Sequence, residues 1–286
     1  MASSRIAILL VFTVSSIHAA IIPNMPEFLE QNSLPIYSRL GDRDDEFNEN
    51  RGGLRRRDWV KVSVTTPQII RVPMGSRVEL HCEVMGSPPP SVTWNRGLQT
   101  LTQHGFEESN DIGGTGLAKV RSKLVIDCVL PHHQSIQYTC KGTSGIQTVT
   151  SDPITLLVQG GNSTSLGSER CRAGGIRVPR ITSWSPIIME TMDTNIALPC
   201  FAEGNPRPTV YWLDKKNEPI DQSSDSRFKM LETGELLITK LNWEDMGDYK
   251  CVAESPQGHD SADTFLYPML QVKNTRGEAF ATLLKD

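Results

Sequence analysis

A cysteine and tryptophan pattern that occurs twice is the strongest constraint on the fold of this chain. In each copy, a tryptophan follows the first cysteine by 12 residues and a tyrosine precedes the second cysteine by two. The two cysteines are 58 residues apart in the first copy and 51 residues apart in the second. The residues concerned are Cys82, Trp94, Tyr138 and Cys140, and then Cys200, Trp212, Tyr249 and Cys251.

These residue types have defined positions in an immunoglobulin-like β-sandwich. The cysteines of strands B and F bridge the two sheets, and the tryptophan packs on the bridge. The tyrosine hydroxyl donates a hydrogen bond to the backbone a few residues earlier, an arrangement called the tyrosine corner. Val78 and Leu80 alternate with polar residues before the first cysteine, and Ile196 and Leu198 precede the corresponding cysteine of the second copy. This alternation is typical of strands with one buried face. The chain is therefore predicted to be all-β, with two tandem immunoglobulin-like sandwiches of the I-set type.

The N-terminal segment predicts export. Arg5 precedes the apolar stretch Ile6–Val14, and small residues follow it, which is the pattern of a signal peptide. No later segment approaches the roughly 20 apolar residues of a membrane-spanning helix, so a secreted, extracellular protein without membrane insertion is expected. The predicted segments are a signal peptide at 1–20, a disordered leader at 21–57, immunoglobulin-like domains at 58–159 and 178–270, a linker at 160–177 and a C-terminal tail at 271–286.

Two short motifs in the predicted leader and linker have alternative interpretations. Arg55-Arg56-Arg57 is either a protease processing site or a solvated run of charge. Asn162-Ser163-Thr164 is an N-glycosylation sequon. Because a linker is accessible in an exported chain, we expect Asn162 to carry a glycan; the alternative is an unused site.

Six cysteines in an exported chain imply disulfides. Four of them belong to the repeat, which leaves Cys128 and Cys171. Cys128 is expected to point outward from strand E, and Cys171 lies in the linker, close enough along the chain to reach it. We favour an intrachain bridge between the two; a disulfide-linked dimer and an unpaired thiol are the alternatives. The predicted pairs are Cys82–Cys140, Cys200–Cys251 and Cys128–Cys171.

The turn before the second cysteine differs between the copies. The second copy has Asp245 and Gly247 in this turn, whereas the first has Gln134 and Ile136 at the equivalent places. We therefore expect the first turn, which contains His132-His133, to be built differently. A metal site would need further ligands at defined spacing, so the histidine pair is interpreted as part of a solvated turn.

Catalytic and nucleic-acid-binding functions lack support in the sequence. Gly113–Gly116 resembles a phosphate-binding loop but lacks the following lysine and helix, and is interpreted as a flexible loop. The net charge is −4, and there is no long basic stripe of the kind that nucleic-acid binding requires. No catalytic residue, metal ligand or cofactor is predicted.

Four segments narrow the choice among immunoglobulin-like proteins. Asn242–Cys251 and Asp260–Pro268, together with Asp58–Val60 and His81–Ser87, resemble the insect neural/ectodermal development factor family, the ecdysone-inducible imaginal-morphogenesis proteins. The resemblance covers both domains and implies a secreted developmental protein that binds insulin-like peptides and restrains insulin signalling and growth. A rival hypothesis is an adhesion or guidance ligand for cell-surface receptors, and a weaker one is a matrix spacer.

Strand alternation in the second domain predicts a hormone-binding face. Outward-facing apolar and aromatic residues on strands C, F and G would form a patch that a soluble monomer rarely leaves uncovered. The alternatives are that the first domain or the tail covers this face, or that strand G is shifted by one residue, which would exchange its two faces. The predicted residues are Tyr211, Leu213, Val252, Phe265 and Tyr267.

Overall fold

The computed structural model describes residues 58–105, 115–160, 171, 175–221, 223, 225–273 and 279–282. The predicted signal peptide, leader, Arg55–Arg57 and Asn162 lie outside these residues. The first nine strands are β1 (Trp59–Val64), β2 (Ile69–Pro73), β3 (Val78–Ser87), β4 (Ser91–Arg96), β5 (Gln99–Gly105), β6 (Leu117–Ile126), β7 (Gln137–Ser144), β8 (Gln147–Thr150) and β9 (Ile154–Gln159). The others are β10 (Arg177–Thr191), β11 (Ile196–Leu198), β12 (Cys200–Asn205), β13 (Thr209–Leu213), β14 (Phe228–Met230), β15 (Leu236–Ile238), β16 (Gly247–Ser255), β17 (Gly258–Lys273) and β18 (Ala279–Thr282).

The first sandwich packs β1, β3 and β6 against a sheet of order β2-β9-β7-β4-β5, in which β8 pairs with β7. The bridge from Cys82 to Cys140 joins the two layers. Trp94 is fully buried, and its indole N–H donates to the Ser122 hydroxyl at 3.1 Å. The buried indole therefore keeps a hydrogen-bond partner, as a tryptophan in a core requires.

The second sandwich packs the three-stranded sheet β11-β15-β14 against β10, β17, β16 and β13. The bridge from Cys200 to Cys251 lies in its core, where Trp212 is 1% exposed. The Trp212 indole N–H donates to the Gly234 carbonyl at 3.0 Å. β17 extends into the predicted C-terminal tail, where β18 pairs with its end.

The two sandwiches share one sheet. β6 of the first sandwich pairs antiparallel with β10 of the second, from Ser122 opposite Ser183 to Leu117 opposite Met189. β10 then pairs parallel with β17, so nine strands form one sheet. Seven of them follow the path β1-β3-β6-β10-β17-β16-β13, while β12 pairs with β10 and β18 with β17. Strand alternation within each domain did not predict this lateral connection.

The junction between the sandwiches has further links beside the strand pairing. Asp127, which follows β6, accepts a hydrogen bond from Arg180 of β10 at 2.8 Å and lies 3.3 Å from Arg177. The adjacent Cys128 forms a disulfide with Cys171, which is the intrachain pairing favoured from the sequence. The segment between the domains is therefore covalently joined to the end of β6.

The turns before β7 and β16 are more alike than their sequences suggested. Both contain a 3₁₀ turn, Pro131–His133 in the first sandwich and Trp243–Asp245 in the second. The Asn242 amide donates to the Asp245 carboxylate at 2.9 Å, and the Leu130 amide donates to Nδ1 of His133 at 2.8 Å. The interpretation of the histidine pair as solvated is therefore wrong for His133, which is 8% exposed and acts as the acceptor that Asp245 provides in the second sandwich.

The tyrosine corner forms in the second sandwich but not in the first. The Tyr249 hydroxyl donates to the Asp245 carbonyl at 3.0 Å. The Tyr138 hydroxyl is buried without a hydrogen-bond partner among the described residues. The tyrosine lies five residues after the 3₁₀ turn in the first sandwich and four in the second, and the additional stretch contains Ser135 with φ of 61°. This longer connection moves Tyr138 away from the position that the turn carbonyl requires.

His133 should make the first sandwich sensitive to mild acid. Its pKa is lowered from 6.5 by burial and then by the neighbouring His132, so the unfolded chain binds the proton more tightly. Stability is therefore present above pH 6.5 and decreases as pH falls below it towards the folded pKa. His133→Asp, which supplies a carboxylate acceptor as Asp245 does, should reduce the dependence of the unfolding free energy on pH between about 7.5 and 5.5. Denaturant unfolding of both chains checks this, and parallel pH profiles would contradict it.

Candidate functional site

The shared sheet has an inner and an outer face. Val120 of β6 packs in the core of the first sandwich, whereas Ala118, two residues earlier on the same side of β6, packs in the core of the second. Both cores therefore lie against the same face of the sheet. Side chains of the opposite, outer face come from both sandwiches, and one row of paired residues runs across six strands, about 24 Å at a strand spacing of roughly 4.8 Å. This row is Lys61, Met85, Lys119, Ile187, Phe265 and Asp248.

An apolar cluster occupies the middle of the outer face, where the two sandwiches join. Ile187, Met189 and Met269 are each 6% exposed and pack together. Leu117, Phe265 and Tyr267 are half-buried around them. We call these residues the apolar seam: Leu117 of β6, Ile187 and Met189 of β10, and Phe265, Tyr267 and Met269 of β17.

Phe265 and Tyr267, two of the five residues predicted to bind a hormone, lie in the apolar seam. Thr264 and Leu266, which alternate with them along β17, face inward and are fully buried, so the strand register assumed from the sequence is the one observed. Leu213 and Tyr211 lie on the same outer face, on β13. The first sandwich lies beside this face and extends it through β6.

The other three predicted residues are separated from the seam. Leu213 is paired with Lys250, whose ammonium group lies 3.6 Å from the Asp263 carboxylate. This charged pair lies between Phe265 and the strip formed by Tyr211 and Val252. The five predicted residues therefore form two patches.

Val252 is not exposed, contrary to the prediction. It is 7% exposed, and it lies between Tyr211 of β13 and Ser261 of β17. Strand alternation assigns a side to a residue but does not include coverage by its neighbours, which is why the prediction failed.

Tyr211 of β13, beside Val252, has its own polar contact. Burial and the Glu254 carboxylate, to which the Tyr211 hydroxyl donates, raise the pKa of Tyr211.

Strand alternation did not predict the seam residues that lie outside β13, β16 and β17. Leu117, Ile187 and Met189 come from the two strands whose pairing joins the sandwiches. Trp243, in the 3₁₀ turn before β16, is 41% exposed and contacts the Tyr267 ring edge-on, with centroids 6.0 Å apart. The apolar run Ile187-Ile188-Met189 was the available signal, because a strand that is apolar on both sides is buried or covered on both sides.

Charge is distributed unequally on the two sides of the seam. Four cations lie on the outer side of β1 and β6. Glu83 of β3, the strand between them, pairs with Lys119 at 2.7 Å and with Arg121 at 2.9 Å. On β16 and β17, three carboxylates accompany Lys250. The cations are Lys61, Lys119, Arg121 and Lys123, and the carboxylates are Asp248, Glu254 and Asp263. The first sandwich therefore contributes a basic flank and the second an acidic flank.

A cleft of about 380 Å³ lies between these flanks. Arg121 and Lys123 line one side, and Asp260 and Asp263 line the other. The Lys123 ammonium group lies 4.8 Å from the centroid of the Trp184 ring, a cation–π contact. The cleft provides charged groups of both signs next to the apolar seam.

Gly113–Gly116 was interpreted as a flexible loop, and its described end is held in place. Thr115 and Gly116 both donate their backbone amides to Glu190 of β10. In the described segments, no group of three or more His, Cys, Asp or Glu side chains could hold a metal ion. No helix in this part of the chain has the length and hydropathy needed to cross a membrane.

The family follows from these features and from comparison with known proteins. The immunoglobulin domain model matches residues 61–144 and 178–255, which correspond to the two sandwiches. The chain belongs to the immunoglobulin-domain family, and it is an extracellular member of it. Three disulfides agree with an oxidising compartment.

Within this family the chain is similar to a particular developmental protein. It is 35% identical over 216 residues to neural/ectodermal development factor IMP-L2 of Drosophila melanogaster, covering 74% of this chain and 78% of the relative. The crystal structure of IMP-L2 matches with a TM-score of 0.60 and 32% identity, over 78% of this chain and all of that one. Zwei Ig domain protein zig-2 of Caenorhabditis elegans is 29% identical over 72% of this chain and 84% of its own. The resemblance found in the sequence is thus confirmed.

Proposed function

We propose that this protein is a secreted binding protein that sequesters insulin-like peptides and restrains insulin signalling. The apolar seam is the proposed binding surface. The resemblance to the neural/ectodermal development factor family implies this class of ligand. Catalysis has no part in the proposal, since binding alone withholds a hormone from its receptor.

The apolar seam is the observation that carries the proposal. Phe265 and Tyr267 remain half-buried, and Trp243 beside Tyr267 is 41% exposed. Accessible aromatic side chains on a rigid sheet are typical anchors of protein interfaces. Insulin-like hormones present apolar helical surfaces, and a broad sheet face can receive such a surface without rearrangement of the backbone.

The buried members of the seam give these aromatic residues a fixed arrangement. Ile187, Met189 and Met269 lie beneath and between them, so little side-chain entropy remains to be lost on binding. The seam combines residues of both sandwiches, and we propose that an insulin-like peptide contacts both domains. Tyr211, Leu213 and Val252 remain part of the proposed surface as a separate strip at its edge.

Replacing both central aromatic residues should weaken binding without unfolding the chain. Phe265→Ser with Tyr267→Ser removes two anchors, each worth about 1–2 kcal/mol or more, so affinity for an insulin-like peptide should fall at least tenfold. Calorimetric titration of the purified chain measures this. Leu98→Ser with Ile146→Ser is the matched control, because both side chains are highly exposed in the first sandwich, outside the seam, and this variant should bind normally.

Equal affinity of the folded aromatic variant and the wild-type chain would exclude the seam as the binding surface. Absence of binding by the wild-type chain, together with self-association or attachment to cells, would instead favour the adhesion hypothesis. The first result would show that the peptide binds elsewhere on the chain, and the second would show that the chain does not bind insulin-like peptides.

The two charged flanks should affect association in opposite directions. For a peptide of net negative charge, Arg121→Glu should slow association and Asp263→Lys should accelerate it, and for a peptide of net positive charge the order should reverse. Both effects should diminish with added salt because exposed charges are screened. Stopped-flow association rates at two salt concentrations test this, and rate changes of the same sign for both variants would contradict it.

A further inference from the structure

A buried carboxylate links the two sandwiches. Glu190 of β10 is fully buried, and both of its oxygens accept hydrogen bonds from backbone amides. Oε1 accepts from Thr191 at 2.8 Å and from Thr115 at 3.2 Å, and Oε2 accepts from Gly116 at 3.0 Å. Because Thr115 and Gly116 lead into β6 of the first sandwich, one side chain of the second sandwich holds the start of that strand.

Backbone amides and the Thr115 hydroxyl, which donates to Oε1 at 3.4 Å, are the groups that stabilise this carboxylate. In the described part of the chain, no lysine or arginine forms an ion pair with Glu190. Burial raises its pKa, and the amides of Thr191, Gly116 and Thr115 act in the opposite direction. Burying a carboxylate without a cation is costly, so an apolar residue would serve better if packing were its only role.

The contact at Gly116 leaves no room for a side chain. A Cβ atom there would overlap the Met189 carbonyl oxygen and lie 2.8 Å from Oε2 of Glu190. The next residue, Leu117, is paired with Met189, and Met189 is paired with Tyr267. The hydrogen bond from Gly116 to Glu190 thus lies one residue from Leu117, the residue that the first sandwich contributes to the apolar seam.

We propose that Glu190 is a positioning residue for the apolar seam, holding Thr115 and Gly116 against β10 so that Leu117 lies beside Met189 and Tyr267. The carboxylate itself is buried beneath the surface and does not contact the peptide. Its effect on peptide binding rests on the proposed function, whereas its effect on the junction does not.

Glu190→Gln tests the proposal, because it replaces one acceptor oxygen by an NH₂ group. This group cannot accept a hydrogen bond from the backbone N–H groups of Thr115, Gly116 or Thr191. Hydrogen exchange of the full chain should be at least tenfold faster at the amides of residues 115–119. Affinity for the insulin-like peptide that binds the wild-type chain should fall at least fivefold. Glu235→Gln is the matched control, because Glu235 is 4% exposed in the second sandwich and belongs to neither the seam nor the junction; it should leave both quantities unchanged.

Gly116→Ala provides an independent variant, because it disturbs the same contact without changing the carboxylate. It should accelerate exchange of the same amides, and it keeps the proposal testable if Glu190→Gln does not fold. Unchanged exchange at residues 115–119 in a folded Glu190→Gln chain would overturn the proposal. Faster exchange in a chain whose wild-type form binds no insulin-like peptide would support the positioning role and refute only the proposed function.

Discussion

The hydrogen bonding between β6 and β10 is the interaction on which the rest of the architecture depends. Each strand would otherwise present a row of unpaired backbone groups at the edge of its own sandwich, and such edges favour unwanted association. Their mutual pairing satisfies both edges and fixes the side-by-side placement of the domains. Ala118 shows how closely the two units are integrated, since it belongs to a strand of the first sandwich and lies in the core of the second.

Because the strands pair, both cores lie on one face of the sheet and the other face becomes a single surface. A surface of this width allows residues from two domains to act together without relying on a flexible linker. The apolar seam lies where the domains join, with a basic flank on one side and an acidic flank on the other. Binding of a peptide there would depend on the junction as much as on any individual aromatic residue.

The fold and two of the disulfides could be predicted because they depend on local alternation and on fixed spacings around Cys82 and Cys200. The third disulfide was favoured only because Cys128 and Cys171 remained outside the repeat and lie within reach of each other along the chain. Phe265 and Tyr267 could be assigned to the outer face from strand alternation. Leu117 could not be added to them, because the pairing of two edge strands is a tertiary event that neither strand encodes alone. The apolar run that contains Met189 indicates coverage on both sides, but it does not identify the strand that pairs with it. His133 was misjudged because residue type suggested a solvated turn, whereas its ring nitrogen is the acceptor for the Leu130 amide. The failure at Val252 has a similar origin, since coverage by neighbours is absent from a one-dimensional pattern.

A cross-strand disulfide tests the shared sheet most directly. Lys119 and Ile187 are paired across β6 and β10, and residues opposite each other in an antiparallel pair have Cα separations of about 4.5–5.5 Å, within the range that a disulfide spans. A chain with Lys119→Cys and Ile187→Cys should form a fourth intrachain bridge between these positions while keeping the three native ones, as peptide mapping under non-reducing conditions would show. Free thiols at both positions, or a bridge only between separate chains, would contradict the shared sheet.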